Sequence, residues 1–459
     1  MIDLVYDLVV RNGQIVTEDR VFAADIAVRD GRIVAVGPTL VPKNNAGEID
    51  ARGLHILPGL IDIHVHCNEP GRTHWEGFAT GTRSLAAGGV TTFFDMPLNS
   101  SPPTTTVQAL KVKKAAATRA AVIDYGLWAG MVPGNIGQLA PMLAEGAVGC
   151  KAFMSGSGIE EFPAVDDRTL LEGMSEIARM GSVLAIHAEN EAVTTWLAQS
   201  AMVAGRRSAH DYAASRPLLS EIEAITRAAA CAQATECRLH VVHVSSGEAA
   251  YWADAVRRQG VDMTIETCPH YLALTGDDLE QKHGVAKCAP PVRSRDHVET
   301  LWRAVRDGVV DVVASDHSPA PPEMKESPDG DFFAVWGGIS GAQTTLNVLL
   351  DEGYWQRGLA LQTVARVTAS NPARRFGLYP TKGVIKVGSD ADLCLVDLSA
   401  RWRLEAGDLC YRHRQSPYLG RMFRGRVVRT LVRGHTVFPD PEDQGWHGQM
   451  VSPGVLQAA

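Results

Sequence analysis

The middle of the chain alternates short apolar runs with alanine-rich helical stretches, from about residue 56 to residue 375. The runs are almost continuously apolar, as in VLAIHAE and LHVVHVSS, which is typical of parallel strands that are buried on both faces. Stretches such as 110–119 and 221–235 have the composition of outer helices. The apolar runs predict eight core strands, at residues 61–66, 90–96, 122–128, 148–154, 182–188, 239–244, 261–268 and 309–317. Because successive strands are spaced by about 40 residues, the pattern predicts an α/β fold with a (β/α)₈ TIM-like barrel.

The two ends of the chain share a different pattern. Near the start, YDLVVRNGQIVT and ADIAVRDGRIVAVG alternate apolar and polar residues around Asn-Gly and Asp-Gly, the strongest short signal for a hairpin. Near the end, GSDADLCLVDL and GRVVRTLVRGHTVF are again short β-branched runs. We therefore expect a small β-sandwich domain built from residues 1–55 and 376–459, beside a catalytic barrel of residues 56–375.

Composition and charge narrow the possible partners and the compartment. The net charge is −8, and a mildly acidic chain repels polyphosphate, so we expect no nucleic-acid partner. There is neither a secretory signal at the first residues nor an apolar run of bilayer length, so no membrane association is expected. The eight cysteines are scattered, without CxxC pairs. That distribution favours reduced thiols and a cytoplasmic location.

Polar residues at the ends of the predicted strands carry the chemistry. Residues of metal-ligand type end or interrupt five of the eight apolar runs: His64, His66, Lys151, His187, His243 and Asp316. The carboxyl ends of barrel strands converge on one mouth, and residues two apart on a strand share a face. Without a common ligand, six polar residues would intrude unpaired near the interior. The set therefore predicts a metal centre at the barrel mouth.

Lys151 needs a separate argument, because a lysine is an unusual neighbour for cations. An ammonium about 4 Å from a unit charge is destabilised by about 4 kcal/mol at an effective dielectric of 20. The neutral amine, which burial favours, can add CO₂ to give a carbamate whose two oxygens bridge two metals. The charges then nearly balance, since the carbamate, Asp316 and a bridging hydroxide offset three of the four positive charges of two dications.

The sequence resembles the cyclic amidohydrolases of the amidohydrolase superfamily, which include dihydropyrimidinases or hydantoinases, dihydroorotases and allantoinases. The resemblance extends over essentially the whole chain. Its motifs are GLIDIHVHCNEPGRTHWEGF, GGVTTFFDMPLNSSP, GCKAFMSGSG, AIHAEN, VVHVSS, ETCPHY, ASDHSP and GSDADL.

The resemblance implies a ligand set and a mechanism. His64, His66 and Asp316 would bind one metal, His187 and His243 the second, and Lys151 would bridge both as N6-carboxylysine. Zinc is the most common metal in the family, and the ligand set also suits manganese or cobalt. Asp316 would be the catalytic residue, because it carries a proton from the attacking water to the leaving ring nitrogen. The family also implies a homotetramer.

Two positions favour an allantoinase among the family members, and the implied reaction is hydrolysis of allantoin to allantoate. Asn68 stands where dihydroorotases have an arginine that pairs with a substrate carboxylate, although Arg72 offers an alternative cation. Ser155 stands in KAFMSGSG, where hydantoinases usually have a nearby tyrosine. Hydantoinase or dihydropyrimidinase activity is the alternative, and a non-catalytic assembly protein of the same fold is a third hypothesis, although all six ligands are present. The expected substrate-binding residues are Asn68, Asn99, Ser155 and Ser318, with backbone groups at Ala289 and Gly337.

Overall fold

Eight parallel strands form a closed barrel in the computed structural model, which describes residues 5–41, 45–327, 329–439 and 445–453. The barrel strands are Leu60–Val65, Val90–Asp95, Asp124–Leu127 continued by Ala129–Gly130, Cys150–Phe153, Val183–His187, Arg238–Val241, Met263–Thr267 and Val312–Val313. The first and eighth strands meet through a bridge between Val65 and His317, where the amide of His66 donates to the carbonyl of His317 at 2.8 Å. Each of the eight predicted strands overlaps one of these, so the predicted barrel is confirmed.

Helices surround the barrel, and polar caps fix where several of them begin. Side chains of Thr106, Asp166, Asn190 and Ser246 each accept a hydrogen bond from a backbone amide three residues later. The α-helices are Phe78–Ala87, Val107–Ala120, Ile136–Ala144, Asp167–Arg179, Glu191–Val203, Ala209–Ala214, Leu218–Thr235, Gly247–Arg257, Pro269–Ala273, Gly276–Lys282, Arg295–Arg306, Thr345–Val348, Leu361–Ala365 and Asn371–Arg375. The last three are extended or joined by π-helical turns at Leu349–Gln356 and Arg366–Ser370. Short 3₁₀ turns lie at His283–Ala286, Pro322–Lys325, Phe332–Ala334, Ala342–Thr344 and Ala406–Asp408. We find no helix among the described residues with the length and apolarity needed to span a bilayer.

Strands from both ends of the chain form the second sheet, as predicted. In order across the sheet they are His435–Phe438, Met422–Val432, Leu393–Arg403, His55–Pro58, Leu8–Val16, Val21–Arg29 and Arg32–Gly37, with Gly47–Asp50 also paired to Leu8–Val16. Hydrogen bonding therefore links all eight strands into one continuous sheet. Its apolar face encloses a separate core that includes Ile15, Ile26, Ile56 and Leu431. The boundaries of the two domains stay a prediction.

Only one of the two predicted amino-terminal hairpin turns is a turn. Asp30 and Gly31 have positive φ values and connect two antiparallel strands, as expected for Asp-Gly. Asn12 and Gly13 instead form a bulge inside the strand Leu8–Val16, so the hairpin prediction at Asn-Gly was wrong. A Cβ atom at Gly13 would lie 2.3 Å from the Cδ1 atom of Ile56. Glycine there allows close packing of Ile56 and does not reverse the chain.

A buried ion cluster connects the barrel to the terminal sheet. The Nζ atom of Lys382 lies 2.7 Å from Asp124 on the third barrel strand, 3.1 Å from Asp390 and 2.7 Å from Asp392. Burial lowers the pKa of Lys382, but the three carboxylates outweigh that effect and raise it above its usual range. These three carboxylates could in principle hold a cation, but Lys382 already neutralises part of their charge. The cluster therefore fixes one domain against the other.

Candidate metal centre and substrate cavity

A cavity of 460 Å³ opens at the carboxyl ends of the barrel strands. Five of the six predicted metal ligands line it: His64, His66, His187, His243 and Asp316. The sixth, Lys151, lies on the fourth strand and is 0% exposed, without lining the cavity. The barrel thus brings residues together that are up to 252 positions apart in the chain, as the pattern of strand ends predicted.

His64, His66 and Asp316 form one compact group of possible ligands. Their ligand atoms all lie within 4.8 Å of one another, and all three residues are buried. The Nε2 atoms of the two histidines lie 3.2 and 3.5 Å from the same oxygen of Asp316. The other nitrogen of each ring is held by an acceptor, since Nδ1 of His64 is 2.7 Å from Glu266 and Nδ1 of His66 is 2.6 Å from the carbonyl of Leu98. Rings held in this way present Nε2 to a shared ligand.

His187 and His243 form a second pair on the other side of the centre. Nδ1 of His187 lies 3.0 Å from Nε2 of His243. The ring of Phe153 stacks on that of His187 with a centroid distance of 4.6 Å, and Nζ of Lys151 lies 5.1 Å from the centre of the same phenyl ring. This arrangement places the lysine amine and the His187 imidazole against one apolar side chain, with His243 beside His187.

Two buried donor atoms of this group have no hydrogen-bond partner among the described residues: Nζ of Lys151 and Nδ1 of His243. Unpartnered buried nitrogens are costly, and they are the atom types that bind divalent metals or, for the amine, accept CO₂. The donor set therefore fits a metal centre.

The pKa values in the centre favour the forms that bind metal. Burial lowers the pKa of His64, His187 and His243, so these rings are neutral near neutral pH. Burial also lowers the pKa of Lys151 to about 8. Burial alone would raise the pKa of Asp316. His64 and the neighbouring histidines outweigh the effect of burial and hold the pKa of this carboxyl well below its usual range.

Two of the candidate ligands have an unusual backbone conformation. His243 has a φ of 42° and Asp316 a φ of 43°, although neither is a glycine. Such conformations are disfavoured and tend to occur at functional sites, where the surrounding structure imposes them. Each residue follows the end of a barrel strand, so the turn aims its side chain at the cavity.

Two buried glutamates that the sequence analysis left without a role support the histidines. Glu266, in ETCPHY, contacts His64 and also lies 3.0 Å from Nε2 of His240. Burial raises its pKa, but His64 and His240 outweigh that and lower it to about 2. Glu189, in AIHAEN, lies 2.8 Å from Nε2 of His187 and forms an ion pair with Arg216. A charged residue inside an apolar motif was the available signal for both.

The predicted substrate-binding residues divide into two groups. Asn99, Ala289, Ser318 and Gly337 line the cavity. Asn68 and Ser155 are 0% exposed and do not line it.

Asn68 is engaged in the loops behind the cavity wall. Its side-chain amide donates to the carbonyl of Pro319 at 3.2 Å and accepts from Asn99 at 3.4 Å. The buried hydroxyl of Ser155 has no partner among the described residues. Direct substrate contacts by Asn68 and Ser155 stay a prediction.

Comparisons with known proteins agree with this geometry. Residues 55–437 match the model of the amidohydrolase family. The chain is 53% identical to a protein named allantoinase from Solibacter usitatus over 95% of this chain and 94% of that one. It is 48% identical to a protein of the same name from Deinococcus radiodurans, over 98% and 99% of the two chains.

Solved structures resemble the fold along nearly its whole length. An L-hydantoinase (dihydropyrimidinase) from Arthrobacter aurescens superposes with a TM-score of 0.94 at 36% identity, over 97% of this chain and 100% of that one. A dihydropyrimidinase from Brevibacillus agri gives a TM-score of 0.91 at 30% identity, over 98% and 99%. The chain therefore belongs to the amidohydrolase family and, within it, to the allantoinase group.

Proposed function

We propose that this protein hydrolyses the cyclic amide of allantoin to give allantoate. The observation that carries the proposal is the set of buried histidines around Asp316 on the floor of the 460 Å³ cavity, in a chain 53% identical to a named allantoinase over nearly its full length. We further propose a homotetramer in the cytoplasm, with the barrel at residues 56–375 and the terminal domain at 1–55 and 376–459.

The residues present would hold two divalent metal ions, for which zinc is our first choice and manganese or cobalt the alternatives. His64, His66 and Asp316 would bind one ion and His187 and His243 the other. When bound, the ions would polarise the ring carbonyl and lower the pKa of a water molecule.

Lys151 would join the two halves of the centre as N6-carboxylysine. Its buried amine, with a pKa lowered to about 8 by burial, supplies the neutral form needed to attack CO₂. A carbon–nitrogen bond forms, one proton leaves the nitrogen, and the product is a carbamate with two oxygen donors. The unpartnered state of Nζ supports this assignment.

Asp316 would move the proton that ring opening requires. Its carboxylate accepts a proton from the water that attacks the ring carbonyl, then delivers it to the ring nitrogen as the carbon–nitrogen bond breaks. His64 and His66, at 3.2 and 3.5 Å from one Asp316 oxygen, keep that oxygen in place. Phe153, packed on His187, places an apolar ring on this side of the cavity.

A polar cavity wall would select allantoin over a plain ring. Allantoin is a hydantoin with a ureido arm, whose amide groups both donate and accept hydrogen bonds. Asn99 and Ser318 line the cavity and offer such partners. When the arm is missing, each buried polar group left unpaired costs about 1–3 kcal/mol, so two or three such groups amount to about 10²–10⁴-fold discrimination.

The test is kcat/KM for allantoin, hydantoin, dihydrouracil and dihydroorotate with metal-loaded wild type and with the variants Asn99→Val and Ser318→Ala. We expect kcat/KM of wild type to be higher for allantoin than for hydantoin by about 10²-fold or more. In both variants this difference in kcat/KM between allantoin and hydantoin should become smaller. Equal decreases in kcat/KM for both substrates would mean that these two residues do not bind the ureido arm.

The second candidate function is hydantoinase or dihydropyrimidinase activity, which the similarity to the Arthrobacter aurescens enzyme favours. Turnover of dihydrouracil or hydantoin as efficient as that of allantoin would replace the allantoin assignment by this one. Metal analysis of the same preparation tests the centre independently of the substrate.

A further inference from the structure

One wall of the substrate cavity is an irregular segment of backbone at residues 332–338, called here the 332–338 wall. Six of its seven residues line the cavity, Phe332 being the exception. The wall begins with the 3₁₀ turn Phe332–Ala334 and contains no other helix or strand. Something other than regular secondary structure must therefore fix its shape.

Lys287 holds the first half of this wall. Its side chain is buried, and its ammonium donates to the carbonyls of Phe332 at 2.7 Å, Phe333 at 3.2 Å and Val335 at 2.5 Å. These three bonds use all the protons of the ammonium. The same nitrogen lies 4.3 Å from the centre of the Tyr212 ring, a favourable position for a cation.

Lys325 holds the second half in the same way. It is also buried, and its ammonium donates to the carbonyls of Trp336, at 3.1 Å, and Gly338. Among the described residues, neither lysine forms an ion pair with a carboxylate. Burial lowers the pKa of both amines to about 7. The hydrogen bonds that hold the two buried amines therefore all go to backbone carbonyls.

The hydrogen bonds of the wall leave one amide free. The amides of residues 332, 333, 334, 335, 336 and 338 each donate to an acceptor in the protein. In the part of the chain that the structure describes, the amide of Gly337 has no acceptor, and Gly337 lines the cavity. Space is open around it, because a Cβ atom at this position would meet nothing within 4 Å.

We propose that Lys287 and Lys325 are positioning residues for substrate binding. By engaging five carbonyls of the 332–338 wall, they fix the peptide on both sides of Gly337, whose backbone is already expected to bind the substrate from the family resemblance, and so set the direction of its free amide. The inference rests on the proposed function only for the identity of the substrate. Neither lysine is a candidate metal ligand, so the two roles separate experimentally.

The experiment compares Lys287→Met and Lys325→Met with wild type. Methionine keeps much of the side-chain volume but removes every donor, so the carbonyls lose their partners and the wall relaxes. We expect KM to rise about tenfold or more in each variant, while kcat stays within about threefold and the metal content per chain is unchanged. Lys282→Met is the matched control, since this lysine lies 3.8 Å from Asp278 and is partly exposed; it should leave KM unchanged.

An unchanged KM in both variants would overturn the proposal. The proposal would also be overturned if kcat and metal content fell to the same extent as KM rose. That result would assign the lysines to the metal centre or to the general stability of the barrel. If Lys287→Met does not fold, Lys325→Met still tests the proposal, since Lys325 holds a different half of the wall. The KM and kcat of each variant are compared with those of wild type on whichever cyclic amide the wild type hydrolyses. The test therefore stays valid if the allantoin assignment fails.

Discussion

At the scale of single residues, Lys151 is the side chain whose surroundings restrict its chemistry most. It is fully buried, lacks a hydrogen-bond partner among the described residues and lies among candidate metal ligands. We expect Lys151→Ala to lose most of its bound metal and at least about 10³-fold of its kcat, because the bridge between the two ions is gone. Metal analysis and steady-state kinetics measure the two effects, and added short carboxylic acids should partly restore both.

A second buried lysine provides the control for that variant. Lys113 is 1% exposed, but its ammonium lies 2.6 Å from Asp95 and 2.7 Å from the carbonyl of Met96. Lys113→Ala should reduce the free energy of unfolding, by about 3–5 kcal/mol for a broken buried pair, while the folded fraction keeps its metal. Full metal content and wild-type turnover in Lys151→Ala would contradict the bridging role.

Single residues were predictable where their position in the strand pattern was informative. His64, His66, His187, His243 and Asp316 line one cavity because each ends or follows an apolar run, which the sequence displays directly. Glu266 and Glu189 were missed, although each is a charged residue inside an apolar motif. The partner of Glu266, His64, lies on another strand, whereas Glu189 contacts His187 only two residues away in the chain. Asn68 was expected at the substrate, yet its amide is engaged by Asn99 and by the carbonyl of Pro319.

At the scale of elements, the 332–338 wall depends on one glycine as well as on two lysines. Gly338 has a φ of 142°, and a Cβ atom there would lie 2.3 Å from the carbonyl oxygen of Ser318. We expect Gly338→Ala to displace the wall and to raise KM for the substrate by about tenfold or more, because a side chain is strained at this φ and the contact is with backbone. Steady-state kinetics of the two proteins measure the change.

Gly341→Ala is the control for this glycine. A Cβ atom at Gly341 would come no closer than 3.7 Å to any neighbour, and the φ of this residue is negative. The substitution should therefore be tolerated, with KM close to that of wild type. An unchanged KM in Gly338→Ala would show that the position of the wall does not limit substrate binding.

Elements were predictable from local patterns and less so from long-range pairing. The eight barrel strands follow from apolar runs that are buried on both faces, and the outer helices from the stretches between them. The bulge at Asn12 and Gly13 was mistaken for a hairpin, because the local pattern does not show that Gly13 packs against Ile56, 43 residues later. The shape of the 332–338 wall is likewise set by Lys287 and Lys325, which no local pattern connects to it.

At the scale of the whole molecule, Lys382 is a buried polar link between the barrel and the terminal sheet, beside Arg433, which pairs with the same Asp124. Lys382→Met would leave Asp124, Asp390 and Asp392 buried without this counter-charge, at a cost of about 3–5 kcal/mol in the free energy of unfolding. In wild type the pKa of Lys382 is raised, so its stabilisation is fully present below the pKa of an unfolded lysine and is lost as pH rises through the higher folded value.

The variant should show a distinct pH dependence. Without the ammonium, the clustered carboxylates have raised pKa values in the folded state, so the variant is most stable when they are protonated and loses stability as pH rises above about 4. The gap in Tm between wild type and Lys382→Met should therefore widen from acid to neutral pH. The exposed Lys386 supplies the control variant Lys386→Met, and a gap independent of pH would refute the assignment.

The central position of the strand His55–Pro58 in the terminal sheet has a consequence for the biosynthesis of the chain. This strand lies between Leu8–Val16 and Leu393–Arg403, with Leu57 opposite Cys394. During translation the first strands leave the ribosome long before their carboxyl-terminal partners are made, so one edge of this strand stays unpaired while the entire barrel is synthesised. An open strand edge invites pairing with other chains. The nascent polypeptide is therefore open to misassembly through this strand edge until Leu393–Arg403 has been synthesised.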